Sequence, residues 1–159
     1  MKKHFFLLAS LCATLHIYGQ KIQKLQSPDG NIQVSISLSD KISYDIICGN
    51  DTLLKQCNLQ IEVGNQQLGN HPKLIKTSSK NVEESLTPVI PLKYSIVSNT
   101  YNQLLLKFKG DYSIEFRAFN NGVAYRFITD KKGIIDVNSE TLYLLHRPYS
   151  VQTPIPGKA

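Results

Sequence analysis

The stretch Leu104-Leu105-Leu106-Lys107-Phe108-Lys109-Gly110-Asp111-Tyr112-Ser113-Ile114-Glu115-Phe116-Arg117-Ala118-Phe119-Asn120-Asn121-Gly122-Val123-Ala124-Tyr125-Arg126-Phe127 decides the fold. Leu104, Leu106 and Phe108 recur at every second position, as do Tyr112, Ile114, Phe116 and Ala118. Val123, Tyr125 and Phe127 repeat the pattern after the break. Side chains two apart share one face of a strand, so each segment predicts a strand with one face in a core. Gly110-Asp111 turns the chain between the first two segments. Asn120-Asn121-Gly122 predicts a hairpin between the last two, since Asn-Gly tolerates the positive φ of a type I′ turn.

Outward from this segment the same period continues. Ser27-Pro28-Asp29-Gly30 is a turn former, with proline presetting φ. Ile32, Val34, Ile36 and Leu38 then alternate with polar residues, and Ile42, Tyr44, Ile46 and Cys48 follow suit. Gly49-Asn50-Asp51 closes that strand, and Leu53-Leu54 begins the return. Leu59, Ile61 and Val63 alternate until Gly64-Asn65. Residues 69–88 dissolve into polar side chains (Thr77, Ser78, Ser79, Lys80, Asn81, Glu83, Glu84), which predicts a long loop with at most one short strand. Extended character resumes at 89–91 and 94–97. No segment sustains a period of 3.6. The fold class is all-β, and short strands joined by turn signals predict a β-sandwich.

The N-terminus has a different character. Met1-Lys2-Lys3-His4 is basic, residues 5–14 are apolar (Phe5, Phe6, Leu7, Leu8, Leu11), and small Gly19 precedes Gln20. That order predicts a secretory signal peptide over 1–19, too short and wrongly flanked for a membrane span. Bulky Leu11 before Cys12 speaks against a lipoprotein anchor. The expected location is therefore periplasmic, with no membrane attachment in the mature form. Cleavage removes two of the charges behind the formal net +6. The remaining basic residues are scattered, without the block of like charge or aromatic-laced stripe that nucleic acid would require. Cys48 and Cys57 flank a turn, where a disulfide and two separate thiols are both compatible with the spacing. His4, His16, His71 and His146 are isolated and no Cys-x-x-Cys occurs, which disfavours a zinc site.

Residues 116–127, from Phe116 through Asn120-Asn121-Gly122 to Phe127, resemble the N-terminal domain of glycoside hydrolase family 97. These are bacterial α-glucosidases and α-galactosidases. Gln20 near the cleavage point, Ser27-Pro28-Asp29-Gly30, and Ser139-Glu140 after Val137 match the same domain. Asn121 stands where the family usually has aspartate, a change that keeps the turn chemistry. The resemblance covers residues 25–140 and implies part of a galactose-mutarotase-like β-supersandwich. It further implies packing on a (β/α)₈ barrel that carries the catalytic carboxylates, and a calcium site beside the sugar. Neither the barrel nor the calcium-binding glutamate falls within the resembling segment. The organisation expected is a signal peptide at 1–19, the sandwich at 20–142 and an irregular tail at 143–159. For that tail a truncated or frameshifted gene product and an ordinary disordered end are both open.

The residues themselves offer no catalytic, cofactor-binding or metal-binding set. Glycoside hydrolysis needs two carboxyl groups roughly 5–10 Å apart. Glu83-Glu84 are adjacent, so in an extended segment they diverge. Asp111 and Glu115 share a face with Lys107, Lys109 and Arg117, which predicts cross-strand charge pairing. No nucleophile elbow occurs. Among the tyrosines, Tyr44, Tyr112 and Tyr125 fall on core-facing positions, while Tyr101 follows Ser98-Asn99-Thr100 and is the freer ring. The expected function is a non-catalytic N-terminal sandwich of a secreted family 97 enzyme acting on α-glucosides or α-galactosides. The alternative is a free-standing carbohydrate-binding or adhesion module using an exposed aromatic patch.

Overall fold

The computed structural model describes residues 21–89 and 96–143. The signal peptide expected at 1–19, the tail expected from 143 onward apart from Tyr143 itself, and the extended run at 90–95 with Tyr94 lie outside the described residues. Among the described residues ten strands run β1 (Lys21–Gln26), β2 (Ile32–Leu38), β3 (Ile42–Cys48), β4 (Asp51–Val63), β5 (Gln66–Leu68), β6 (Leu74–Leu86), β7 (Val97–Phe108), β8 (Tyr112–Phe119), β9 (Gly122–Thr129) and β10 (Val137–Tyr143). They form two antiparallel sheets: β1-β2-β3-β4-β10, with β5 beside β4, and β6-β7-β8-β9. The chain is a β-sandwich.

The alternation read from the sequence builds the core. Val34, Ile36, Ile42 and Leu59 from the first sheet meet Leu106, Phe108, Ile114 and Phe116 from the second, all essentially without solvent exposure. Tyr44 bridges the layers, with its ring centroid 5.7 Å from Phe116 and 6.1 Å from Tyr125. Burial pushes the Tyr44 hydroxyl up to about 12, with Cys57 beside it adding to the effect.

Two irregularities interrupt the β3–β4 ladder, one at Leu53 between the Ile46 and Ile47 pairs and one that keeps the rest of β4 in phase. Leu54 pairs with Ile46 and Cys57 with Tyr44, so two residues of β4 stand opposite Asp45 alone. The extra residue is a β-bulge, which switches the inward parity from Leu54 to Cys57 and Leu59. Gln56 takes a positive φ of 53° there, and its backbone N–H donates to Asp45 Oδ1 at 2.6 Å. Asp45 thus supplies the acceptor that the interrupted ladder lacks.

The two segments carrying the family resemblance meet in space. Within Ser27-Pro28-Asp29-Gly30, the Gly30 N–H donates to the Ser27 carbonyl at 2.9 Å. The Asp29 carboxylate accepts from the Ser27 hydroxyl and from the Asn31 N–H. The Asp29 N–H in turn donates to Asn120 Oδ1 at 3.1 Å, so the turn of one sheet is pinned to the hairpin tip of the other.

Two local expectations are corrected, and one left open between two alternatives is decided. Residues 69–88 are not mainly loop, because β6 is a 13-residue strand paired with β7 along its length. It shows no alternation because it is an edge strand exposed along nearly its whole length, with only Leu74 and Val82 part-buried, so little selects apolar residues there. The β8–β9 hairpin has Phe119 opposite Gly122, with Asn120-Asn121 as its two loop residues. None of Asn120, Asn121 and Gly122 has a positive φ, so this is not the type I′ turn that Asn-Gly suggested. Cys48 and Cys57 are both free thiols, and register places Cys48 opposite Asp51 and Cys57 opposite Tyr44.

Gly69 is the tightest backbone position. Its φ is +99°, and a Cβ built there would lie 2.4 Å from the Leu59 carbonyl oxygen, whereas one on Gly64 (φ +59°) would meet nothing within 4 Å. Gly69→Ala should therefore cost about 3 kcal/mol or more from strain and clash. Gly64→Ala should cost about 1–2 kcal/mol, from the left-handed conformation alone. Urea unfolding of the two variants measures the difference; equal losses would show that the approach of Gly69 to β4 imposes nothing.

Candidate functional site

The charged groups of the second sheet gather on its outer face. Alternation along β8 sends Ser113, Glu115, Arg117 and Phe119 outward. Outward residues of a sandwich are ordinarily solvated, yet Glu115 is only 4% exposed. The cause is its place in the sheet. Leu105 of β7 and Arg126 of β9 stand opposite it on either side, and the guanidinium of Arg126 hydrogen-bonds to it.

Glu115 Oε1 accepts a hydrogen bond from Arg117 Nε at 2.5 Å, and Oε2 accepts one from Arg126 Nη2 at 3.0 Å. The Arg117 guanidinium lies 4.7 Å from the centroid of the Tyr101 ring. Tyr101 in turn packs on Phe119, with centroids 5.0 Å apart. The row Arg126, Glu115, Arg117, Tyr101, Phe119 is continuous, combining charge-assisted hydrogen bonds with a cation–π contact. A cavity of about 120 Å³ opens beside Glu115, Arg117 and Arg126.

Burial works to raise the Glu115 carboxyl, but the hydrogen bonds from Arg126 and Arg117 outweigh it and hold the group below its ordinary value. A general acid for glycoside hydrolysis needs the opposite shift. Both oxygens of Glu115 are also engaged by guanidinium groups, so it is poorly placed as nucleophile or base. The geometry is that of a clamp tying β8 to β9.

The other acids are dispersed. Asp111 sits in the β7–β8 turn at φ 59°. Glu83 and Glu84 lie on consecutive positions of β6, so they diverge, and Glu84 accepts from Asn99 Nδ2. Asp130 pairs with Lys107 at 3.2 Å, which is the exposed cross-strand pairing expected of Lys107, with a different acid. Glu140 of β10 accepts from the Tyr125 hydroxyl at 3.0 Å. Burial and then that carboxylate push the Tyr125 hydroxyl upward. The calcium implied by the resemblance takes six to eight oxygen ligands. Among the described residues no three of His, Cys, Asp or Glu come together to hold a metal.

The tyrosines follow the same logic. Tyr44 and Tyr112 are buried in the core, and Tyr125 is half-buried against it. Tyr101, expected to be the freer ring, lies within β7 and is 4% exposed. Arg117 and Phe119 cover it. Sequence reading placed Glu115 and Arg117 on one face but missed Arg126 as their partner. The signal was available: Glu115 and Arg126 are equidistant from the Asn120-Asn121 turn, so the hairpin itself places them opposite one another.

Comparison with known proteins agrees with this fold. The sequence profile of the glycosyl-hydrolase 97 N-terminal family matches residues 25–150. The chain belongs to the glycoside hydrolase family 97 N-terminal family. It is 40% identical over 133 residues to a retaining alpha-galactosidase of Bacteroides thetaiotaomicron, covering 83% of this chain and 20% of that protein. A glycoside hydrolase family 97 enzyme from Pseudoalteromonas sp. strain K8, solved with acarbose, superposes with a TM-score of 0.65 at 26% identity, over 76% of this chain and 20% of that one. A beta-arabinopyranosidase shares the fold, with a TM-score of 0.67 at 20% identity over 74% of this chain. The chain thus spans about a fifth of the length of the relatives it matches.

The clamp predicts a pH dependence. A carboxyl held below its unfolded value contributes stability above that value, and the contribution is lost as pH falls through the folded value. Glu115→Gln should cost about 1–3 kcal/mol at pH 7, and the gap to the unsubstituted chain should narrow as pH drops below 4.5, the ordinary value for a glutamate carboxyl. Urea unfolding at neutral and acid pH measures it. A gap independent of pH would mean that the ion pair contributes nothing.

Proposed function

We propose that this chain is the non-catalytic leading domain of a secreted, periplasmic family 97 glycoside hydrolase whose complete form cleaves α-galactosides or α-glucosides. The observation that carries this reading is the 40% identity to a retaining alpha-galactosidase, confined to a fifth of that protein. In the complete enzyme the sandwich supports a catalytic (β/α)₈ barrel and shapes one wall of the sugar site. The chemistry belongs to carboxylates of the barrel, and this domain supplies a rigid surface beside them. The state of Glu115 supports the division, because a carboxylate held ionised by two arginines serves cohesion between strands better than proton transfer.

A free-standing glycan-binding module would need an aromatic ring presented to solvent for a sugar to stack on. The burial of Tyr44, Tyr101 and Tyr112 weighs against that alternative.

The purified 159-residue chain should not turn over p-nitrophenyl α-galactoside or p-nitrophenyl α-glucoside, while a protein continuing through a downstream barrel should. Turnover by the isolated chain would overturn the assignment. Sequencing the locus past Ala159 tests the other half: a long open frame encoding alternating strands and helices, in any register, is the expected result.

A further inference from the structure

The outer edge of β6 is the longest unpaired strand edge among the described residues. β6 pairs with β7 on one side and forms the border of its sheet on the other. All of its residues except Leu74 and Val82 are exposed. Its charges are segregated: Lys76 and Lys80 lie in the first half, Glu83 and Glu84 in the second. An exposed edge of this kind is a template for another strand.

We propose that two copies of this chain associate through β6, edge to edge and antiparallel, joining their four-stranded sheets into one continuous sheet. A lysine on an edge normally repels a partner. In antiparallel self-pairing, however, the basic half of one copy meets the acidic half of the other, so the edge is complementary to itself and to few other strands. An isologous contact of this kind has a two-fold axis normal to the sheet. Facing side chains must then come from the same face, which restricts the register to a few choices.

A two-fold at Lys80 would oppose the two lysines, and one at Glu83 the two glutamates. The register with Val82 on the axis places Lys80 of each copy opposite Glu84 of the other, twice, and Asn81 opposite Glu83. The ladder runs over 78–86, clear of the irregularity between Leu74 and Lys76 that bends the start of β6. Half-buried Val82 meets its own copy at the centre.

Sedimentation of the chain under reducing conditions, which silence Cys48 and Cys57, tests it. A dimer should populate at about 100 µM, as befits a small interface. Lys80→Glu and Glu84→Lys should each weaken it about tenfold or more by opposing like charges. The double variant K80E/E84K should restore it. Restoration within one chain is excluded by geometry, because residues four apart on a strand lie about 13 Å from each other. Should a swap variant fail to fold, Val82→Cys decides: on oxidation it should give a covalent dimer that the unsubstituted chain does not. A chain monomeric at that concentration would overturn the proposal. So would a dimer indifferent to the single swaps, not restored by the double one, or without a Val82→Cys crosslink.

Discussion

Three aromatic rings hold the two sheets in register. Tyr44 reaches from β3 to Phe116 on β8 and Tyr125 on β9, and Phe116 and Tyr125 are themselves 6.1 Å apart. Such pairs contribute about 0.5–1.5 kcal/mol each beyond the area they bury. Their larger effect is geometric, because they set which strand of one layer faces which strand of the other. The rest conforms to that alignment. The bulge at Gln56 returns β4 to inward phase, so that Cys57 lies opposite Tyr44 and Leu59 opposite Ile42. The bond from Asp29 to Asn120 ties the two layers at the end of the same contact.

Strands with one buried face were legible in the sequence, and strands without one were not. Ile32 to Leu38 and Tyr112 to Ala118 alternate because every second side chain enters the core. β6 hides because almost none of its side chains do, leaving Thr77, Ser78, Ser79 and Lys80 to read as loop. Its strand character comes from hydrogen bonds to β7, which leave no trace in side-chain pattern. The bulge was invisible for a related reason: Asp45 and Gln56 are ordinary surface residues until the backbone between them is known. At Asn120-Asn121-Gly122 the sequence signalled a hairpin correctly, but the loop sits one residue earlier than Asn-Gly implied. Glu115 was legible as a charge among charges. Its burial was not, since that depends on neighbouring strands β7 and β9 crowding the centre of a four-stranded sheet.

Those distinctions bear on what the domain contributes. A sandwich built around one apolar layer, with its most buried carboxylate held by two arginines, is suited to stiffness. Family 97 membership, and coverage of about a fifth of the relatives' length, are the two observations on which the proposed function rests.

The central claim is that both sheets share one core and unfold together. Native-state amide hydrogen exchange tests it directly, because it reports the opening free energy of each strand separately. Amides of β2 and β3 in one sheet, and of β7 and β8 in the other, should exchange with the same free energy, equal to that of global unfolding. A lower common value for β7 and β8, with β2 and β3 still protected, would contradict the account by showing that the sheets are separate units.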